Sequence, residues 1–156
     1  MKIRRATVKD TERITALRRQ VLTVHAELRP DIFIPETTKY TKKELEQMVA
    51  DDANPIFVAD DDGSVVGYAF CQIKEPEITN NTVPFRSLYI DDLCVDSEYR
   101  GRRIGTRLFE FVKEEARRLG CYEITLNVWE GNETAERFYE KLGMKPKKHL
   151  LELILE

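Results

Sequence analysis

The chain has 156 residues, 42% of them hydrophobic and 34% charged, with a formal net charge of −3. Those values suit one globular domain with a real core, expected to span residues 1–156. They exclude a sequence-independent nucleic-acid binder, and no apolar run approaches the roughly 20 residues that cross a bilayer.

Met1-Lys2-Ile3-Arg4-Arg5 leads into a strand over 2–8 and not into a secretory signal, so a cytoplasmic location is expected. Asp10 or Thr11 caps a first helix with Ile14, Leu17, Val21 and Leu22 inward, and Arg29-Pro30 ends it. Residues 31–38 read as a loop, and a second helix covers 41–51 with Leu45, Met48 and Val49 inward. Strands at 56–60 and 65–73 are joined by Asp61-Asp62-Gly63-Ser64, where turn chemistry explains the acidic cluster better than a metal does. A polar loop over 75–84 precedes a strand over 85–95. The next helix carries Ile104, Leu108, Val112, Ala116 and Leu119 on one stripe. A strand at 123–128, a helix opened by Asn132 and a last strand pair around 144–146 and 150–154 complete the pattern. The basic stretch Lys145-Pro146-Lys147-Lys148 reads as a solvated turn. Cys71, Cys94 and Cys121 are scattered beside apolar strands, which suits reduced core thiols and gives neither disulfides nor a metal site.

The segment Asp92-Leu93-Cys94-Val95-Asp96-Ser97-Glu98-Tyr99-Arg100-Gly101-Arg102-Arg103-Ile104-Gly105-Thr106 carries the most chemistry. A strand passes through a glycine-containing turn into a helix start, where free backbone N–H groups and the helix dipole favour an anion. Arg100, Arg102 and Arg103 add positive charge, so the simplest ligand is a phosphate or pyrophosphate. The P-loop and three-glycine dinucleotide spacings are absent.

The segment resembles motif A of the GNAT superfamily of acyl-CoA-dependent N-acetyltransferases, with Arg103 where a glycine is usual. Asn132-Glu133-Thr134-Ala135-Glu136-Arg137-Phe138-Tyr139-Glu140-Lys141-Leu142-Gly143-Met144 resembles motif B of the same superfamily, in the right order and separation. The resemblance implies an α/β (α+β three-layer) fold: a mixed, mostly antiparallel central sheet with helices on both faces and splayed strands 4 and 5. It implies acetyl transfer from acetyl-CoA, without metal, to an amine on a small molecule, peptide or protein. No nucleic-acid or membrane partner is expected, and a homodimer, common in such families, is left open.

Carried over by position, the backbone of Leu93, Cys94 and Val95 would hold the cofactor arm and polarise the thioester. Arg100, Gly101, Arg102, Arg103, Ile104, Gly105 and Thr106 would hold the pyrophosphate, and Asn132 would contact the arm. Tyr139 would serve as general acid, and Asn127 would orient a water or the amine or else make a structural hydrogen bond. Candidates for the base are Asp92, Asp91, His25 and water. Strand alternation sends the two aspartates to opposite faces. Arg103 is expected in a right-handed conformation open to any residue. The alternative reading is a GNAT-fold module that binds acyl-CoA as a sensor or structural partner without turnover.

Overall fold

A computed structural model describes residues 1–156. Five strands form one sheet in chain order: β1 (Lys2–Arg5), β2 (Ile56–Asp61), β3 (Ser64–Lys74), β4 (Ser87–Val95) and β5 (Glu123–Leu126). The first four are antiparallel neighbours, and β5 joins β4 in parallel. The β4–β5 connection carries helix α3 (Ile104–Arg118); α1 (Thr11–Leu28) and α2 (Lys42–Val49) precede β2, and α4 (Glu133–Lys141) follows β5.

Alternation along β2 explains the two cores. Ile56 and Val58 join Tyr68, Phe70 and Cys94 beneath Ile14 and Leu17 of α1 and Leu45 and Val49 of α2. Phe57 and Ala59 point the other way, with Ala69, Leu88 and Ile90, against Ile104, Leu108 and Val112 of α3. A strand buried on both faces must be apolar on both, and β2 is.

The expected first strand stops early, at Arg5. Asp10 accepts from the Thr7 N–H at 2.8 Å and from Arg4 at 2.8 and 3.0 Å, which turns the chain into α1 through a 3₁₀ turn at Val8–Asp10. The Asp62-Gly63 hairpin forms as expected, with φ of 55° and 89°, the pair of positive angles that a two-residue turn demands. The expected last strand pair is not formed. Met144 makes the last backbone hydrogen bond of the chain, and Leu150, Leu151, Leu153, Ile154 and Leu155 lie exposed. Their side chains find no second apolar surface within one copy of the chain.

Candidate active site

β4 and β5 part company halfway along β4. Their pairing runs from Ser87↔Glu123 to Ile90↔Leu126 and stops, while β4 continues to Val95 against β3 alone. The β5-facing edge of Asp91–Val95 is therefore without a strand partner, and its backbone groups are open to a ligand. A bulge where β4 passes Phe70 and Cys71 of β3 leaves Asp91 as the unpaired extra residue. The bulge breaks the simple alternation expected for Asp91 and Asp92, and both border the cleft that opens there.

At the far end of that cleft α3 begins. Thr41 and Asn132 cap α2 and α4 with their side chains, but Arg103 offers α3 no side-chain cap, and no acidic residue sits in its first turn. The first N–H groups of α3 are left for an outside acceptor, which is the environment a pyrophosphate needs. Arg100, Gly101, Arg103, Ile104, Gly105 and Thr106 border the cleft. Arg102 does not; its guanidinium stacks 4.9 Å from the centre of the Tyr99 ring. Arg103 is left-handed, with φ 61° and ψ 21°, which corrects the right-handed expectation. This is the backbone that makes glycine usual there. Gly105 serves a different purpose: a Cβ on it would lie 3.1 Å from Phe138 Cζ, a crowded contact, so its absence lets α4 pack closely onto the start of α3.

Asp96 fixes this loop, and its position between motif residues gave no sign of it. It is buried at 3% exposure. It accepts from the Glu98 N–H at 3.1 Å and from Gln20 at 3.3 Å, and it pairs with Arg13. Burial alone would raise its pKa, but these donors hold it below the usual carboxylate range. The turn after β4 is thereby tied to α1.

Titratable groups flank the cleft from both faces of the sheet. On the α1 face, Asp92 Oδ2 accepts from the Tyr68 hydroxyl at 2.6 Å and from Arg18 at 3.2 Å. Burial raises the pKa of Asp92, and Arg18 and Tyr68 only partly offset it. His25 sits against Phe33 and Trp129, with ring centroids at 5.1 and 6.4 Å. Burial lowers its pKa, so it is neutral at pH 7. On the α4 face, Tyr139 packs on Phe138 and Phe109, and its hydroxyl has no protein hydrogen-bond partner. Burial, followed by the charges of Asp92 and Cys94, raises its pKa well above that of ordinary phenol. Asn127 falls just beyond β5 and donates to the Tyr89 hydroxyl at 3.0 Å. Asn132 Oδ1 is occupied by the Ala135 N–H at 3.2 Å, which leaves its amide N–H groups free to donate. Leu93, Cys94 and Val95 border the cleft, but the Cys94 thiol turns into the core toward the Leu17 carbonyl, and burial pushes its pKa up to about 12. That thiol is no nucleophile.

A split between parallel strands on an open mixed sheet, closed by an uncapped and carboxylate-free helix start, can receive an extended ligand with an anionic end. The chain belongs to the Acetyltransferase (GNAT) family, which residues 21–144 match. Over 59 residues it is 37% identical to glucosamine 6-phosphate N-acetyltransferase of Arabidopsis thaliana, and the match spans 38% of each chain. A mutant of the BH1408 protein from Bacillus halodurans superimposes with a TM-score of 0.95, at 30% identity and with 100% of each chain covered. An aminoglycoside N-acetyltransferase, AAC(6')-Iy in complex with CoA, shares the fold at a TM-score of 0.71 and 17% identity over 99% of each chain. No helix of the chain is long and apolar enough to cross a membrane.

Proposed function

We propose that this chain transfers the acetyl group of acetyl-CoA directly to a primary amine, with no metal. The observation that carries this is the unpaired edge of Asp91–Val95 leading to the uncapped start of α3. Backbone groups of Leu93 and Val95 pair with the pantetheine arm and polarise the thioester oxygen. The loop Arg100–Thr106 holds the pyrophosphate, and Asn132 donates to the arm.

An amine of pKa ~10.4 is neutral in only about one molecule per 10³ at pH 7, a deficit of roughly 4–5 kcal/mol. Asp92 is the base that recovers part of it, directly or through a water, because its raised pKa makes it a better acceptor than an exposed carboxylate. The amine nitrogen bonds to the acetyl carbon, the carbon–sulfur bond breaks, the amine proton passes to Asp92, and Tyr139 gives its proton to the departing sulfur. His25, Phe33 and Trp129 line the acceptor side. Acceptors related to amino sugars merit testing first, given the relatives of this chain.

The experiment is thiol release from acetyl-CoA across a panel of amino sugars, aminoglycosides, polyamines, amino acids and peptides. Amine-dependent release together with the acetylated product is expected. Acetyl-CoA binding without turnover on any acceptor would support a sensor or structural module instead.

A further inference from the structure

Arg18 of α1 is fixed against Asp92 from three sides. Its guanidinium lies 4.8 Å from the centre of the Phe70 ring and 5.0 Å from that of Tyr40, and Nη1 donates to Asp92 Oδ2 at 3.2 Å. Its Nε and Nη2 have no protein acceptor. Neither atom is sealed off, because the one fully buried side-chain nitrogen or oxygen without a partner belongs to Arg5. Arg18 and Asp92 border the same cleft. A guanidinium held by two rings, with donors unused, is a preformed receptor for a carboxylate.

The pair also has a negative side, since Asp92 Oδ1 has no protein donor. Lys39 reinforces the positive side. Its Nζ sits 5.4 Å from the centre of the Tyr40 ring, which Arg18 also touches, and it has no ion pair. Asp91, likewise without an ion pair, borders the cleft beside Asp92. Leu22 and His25 follow Arg18 at i+4 and i+7, so the three form one stripe of α1, and all three border the cleft. The stripe ends at the aromatic group of His25, Phe33 and Trp129, two helical turns or about 10 Å from Arg18.

We propose that the acceptor is the α-amino group of a free amino acid with a large apolar side chain, which Arg18 holds by its carboxylate. This inference rests on the acetyl-transfer reading and names its substrate class. An amino acid carries nitrogen and carboxylate on one carbon, so both reach a pair whose own contact is 3.2 Å. A rigid spacer of several bonds would carry one group past the pair. The side chain extends along the stripe, over Leu22 toward His25 and Trp129. The same carboxylate serves the proton step. Asp92 loses its charge on taking the amine proton, and the substrate carboxylate remains as counter-ion to Arg18, so no half-buried cation is left unpaired.

The test compares kcat/KM of the full chain, at saturating acetyl-CoA, for leucine and phenylalanine with their decarboxylated amines, isoamylamine and phenethylamine. Their carboxamides, whose amines are less basic, control for amine basicity. The acids should exceed both kinds of analogue by about 10- to 100-fold, the range for hydrogen bonds to a charged group. They should also exceed glycine, which has no side chain for the stripe. Arg18→Gln should bring acid and carboxamide within about threefold of each other, whatever it does to the overall rate through Asp92. A role confined to positioning Asp92 would lower both alike and keep the ratio. The wild-type comparison needs no variant, so it decides even where Arg18→Gln fails to fold. Analogues that match the acids, or a ratio that survives Arg18→Gln, overturn the proposal. Turnover confined to amino sugars, polyamines or peptides also overturns it and leaves acetyl transfer standing. Thiol release with no amine at all would overturn acetyl transfer itself, and this inference with it.

Discussion

Tyr68, fully buried beneath α1, donates its hydroxyl to Asp92 Oδ2 at 2.6 Å. With Arg18 on the same oxygen, Oδ1 has no protein donor, and Asp92 borders the cleft. The Tyr68 bond favours the charged carboxylate and so works against the burial that raises its pKa. Tyr68→Phe should therefore raise the Asp92 pKa further. Because the base must be deprotonated, the acid limb of kcat/KM should move to higher pH, by about one unit for a bond worth ~1.5 kcal/mol. Activity at high pH should be retained. Asp92→Asn should lower kcat by about 10²–10⁴ and remove that limb. If the limb stays in place in both variants, Asp92 is not the base.

Tyr139→Phe keeps the packing on Phe138 and Phe109 and removes only a hydroxyl that has no protein partner. Melting temperature and acetyl-CoA affinity should barely change. Thiolate leaves readily, so kcat should fall by roughly 10- to 100-fold, at or below the low end of general-acid effects. A raised phenol pKa keeps Tyr139 protonated through neutral and mildly alkaline pH, so no alkaline limb there should belong to it. A kcat within about twofold of the wild type, while chemistry limits the rate, would make it a core residue.

Arg103→Gly relieves a left-handed backbone that costs a side-chain-bearing residue about 1–2 kcal/mol, partly offset by the extra freedom glycine brings to the unfolded chain. The expected net gain is under about 1 kcal/mol, seen as a melting temperature unchanged or higher by up to about 4 °C. Acetyl-CoA affinity should stay within about tenfold, or roughly 1.4 kcal/mol. A gain of several hundredfold would mark the natural site as damaged and favour the non-catalytic reading.

Arg4 holds Asp10, whose side chain is only 7% exposed, at the turn from β1 into α1. Burial alone would raise the Asp10 pKa, but Arg4 and Thr7 hold it below the usual carboxylate range. A depressed folded pKa contributes stability that is present above the unfolded value and is lost as pH falls through the folded one. Arg4→Met should cost about 3 kcal/mol near neutral pH, at the low end for a broken buried pair, and the difference from wild type should shrink in acid. Urea unfolding across that pH range checks both the size and the sign.

The sequence made legible whatever depends on local spacing. The stripe from Ile104 to Ala116, the Asn132 cap, the Asp62-Gly63 turn and the Arg29-Pro30 stop each follow from neighbours along the chain. What it hid depends on partners far away. Asp96 reads as a loop residue until Arg13 and Gln20 arrive from α1. Tyr68 reads as a strand aromatic until it reaches Asp92 across β3 and β4. The bulge at Asp91 arises from the match between two strands, and the left-handed Arg103 from the angle at which α3 must leave the loop. The last strand pair expected around 144–146 and 150–154 is not formed, because alternating apolar residues make a strand only where a neighbouring edge pairs with them.

Calorimetric titration of acetyl-CoA into the metal-free wild-type chain tests the central claim, that the split between β4 and β5 is an acyl-CoA site, most directly. One site per chain, micromolar affinity and weakening with added salt are expected, because the proposed site would hold the phosphates at Arg100, Arg103 and the start of α3. No heat and no thermal shift with either acetyl-CoA or CoA would contradict the claim.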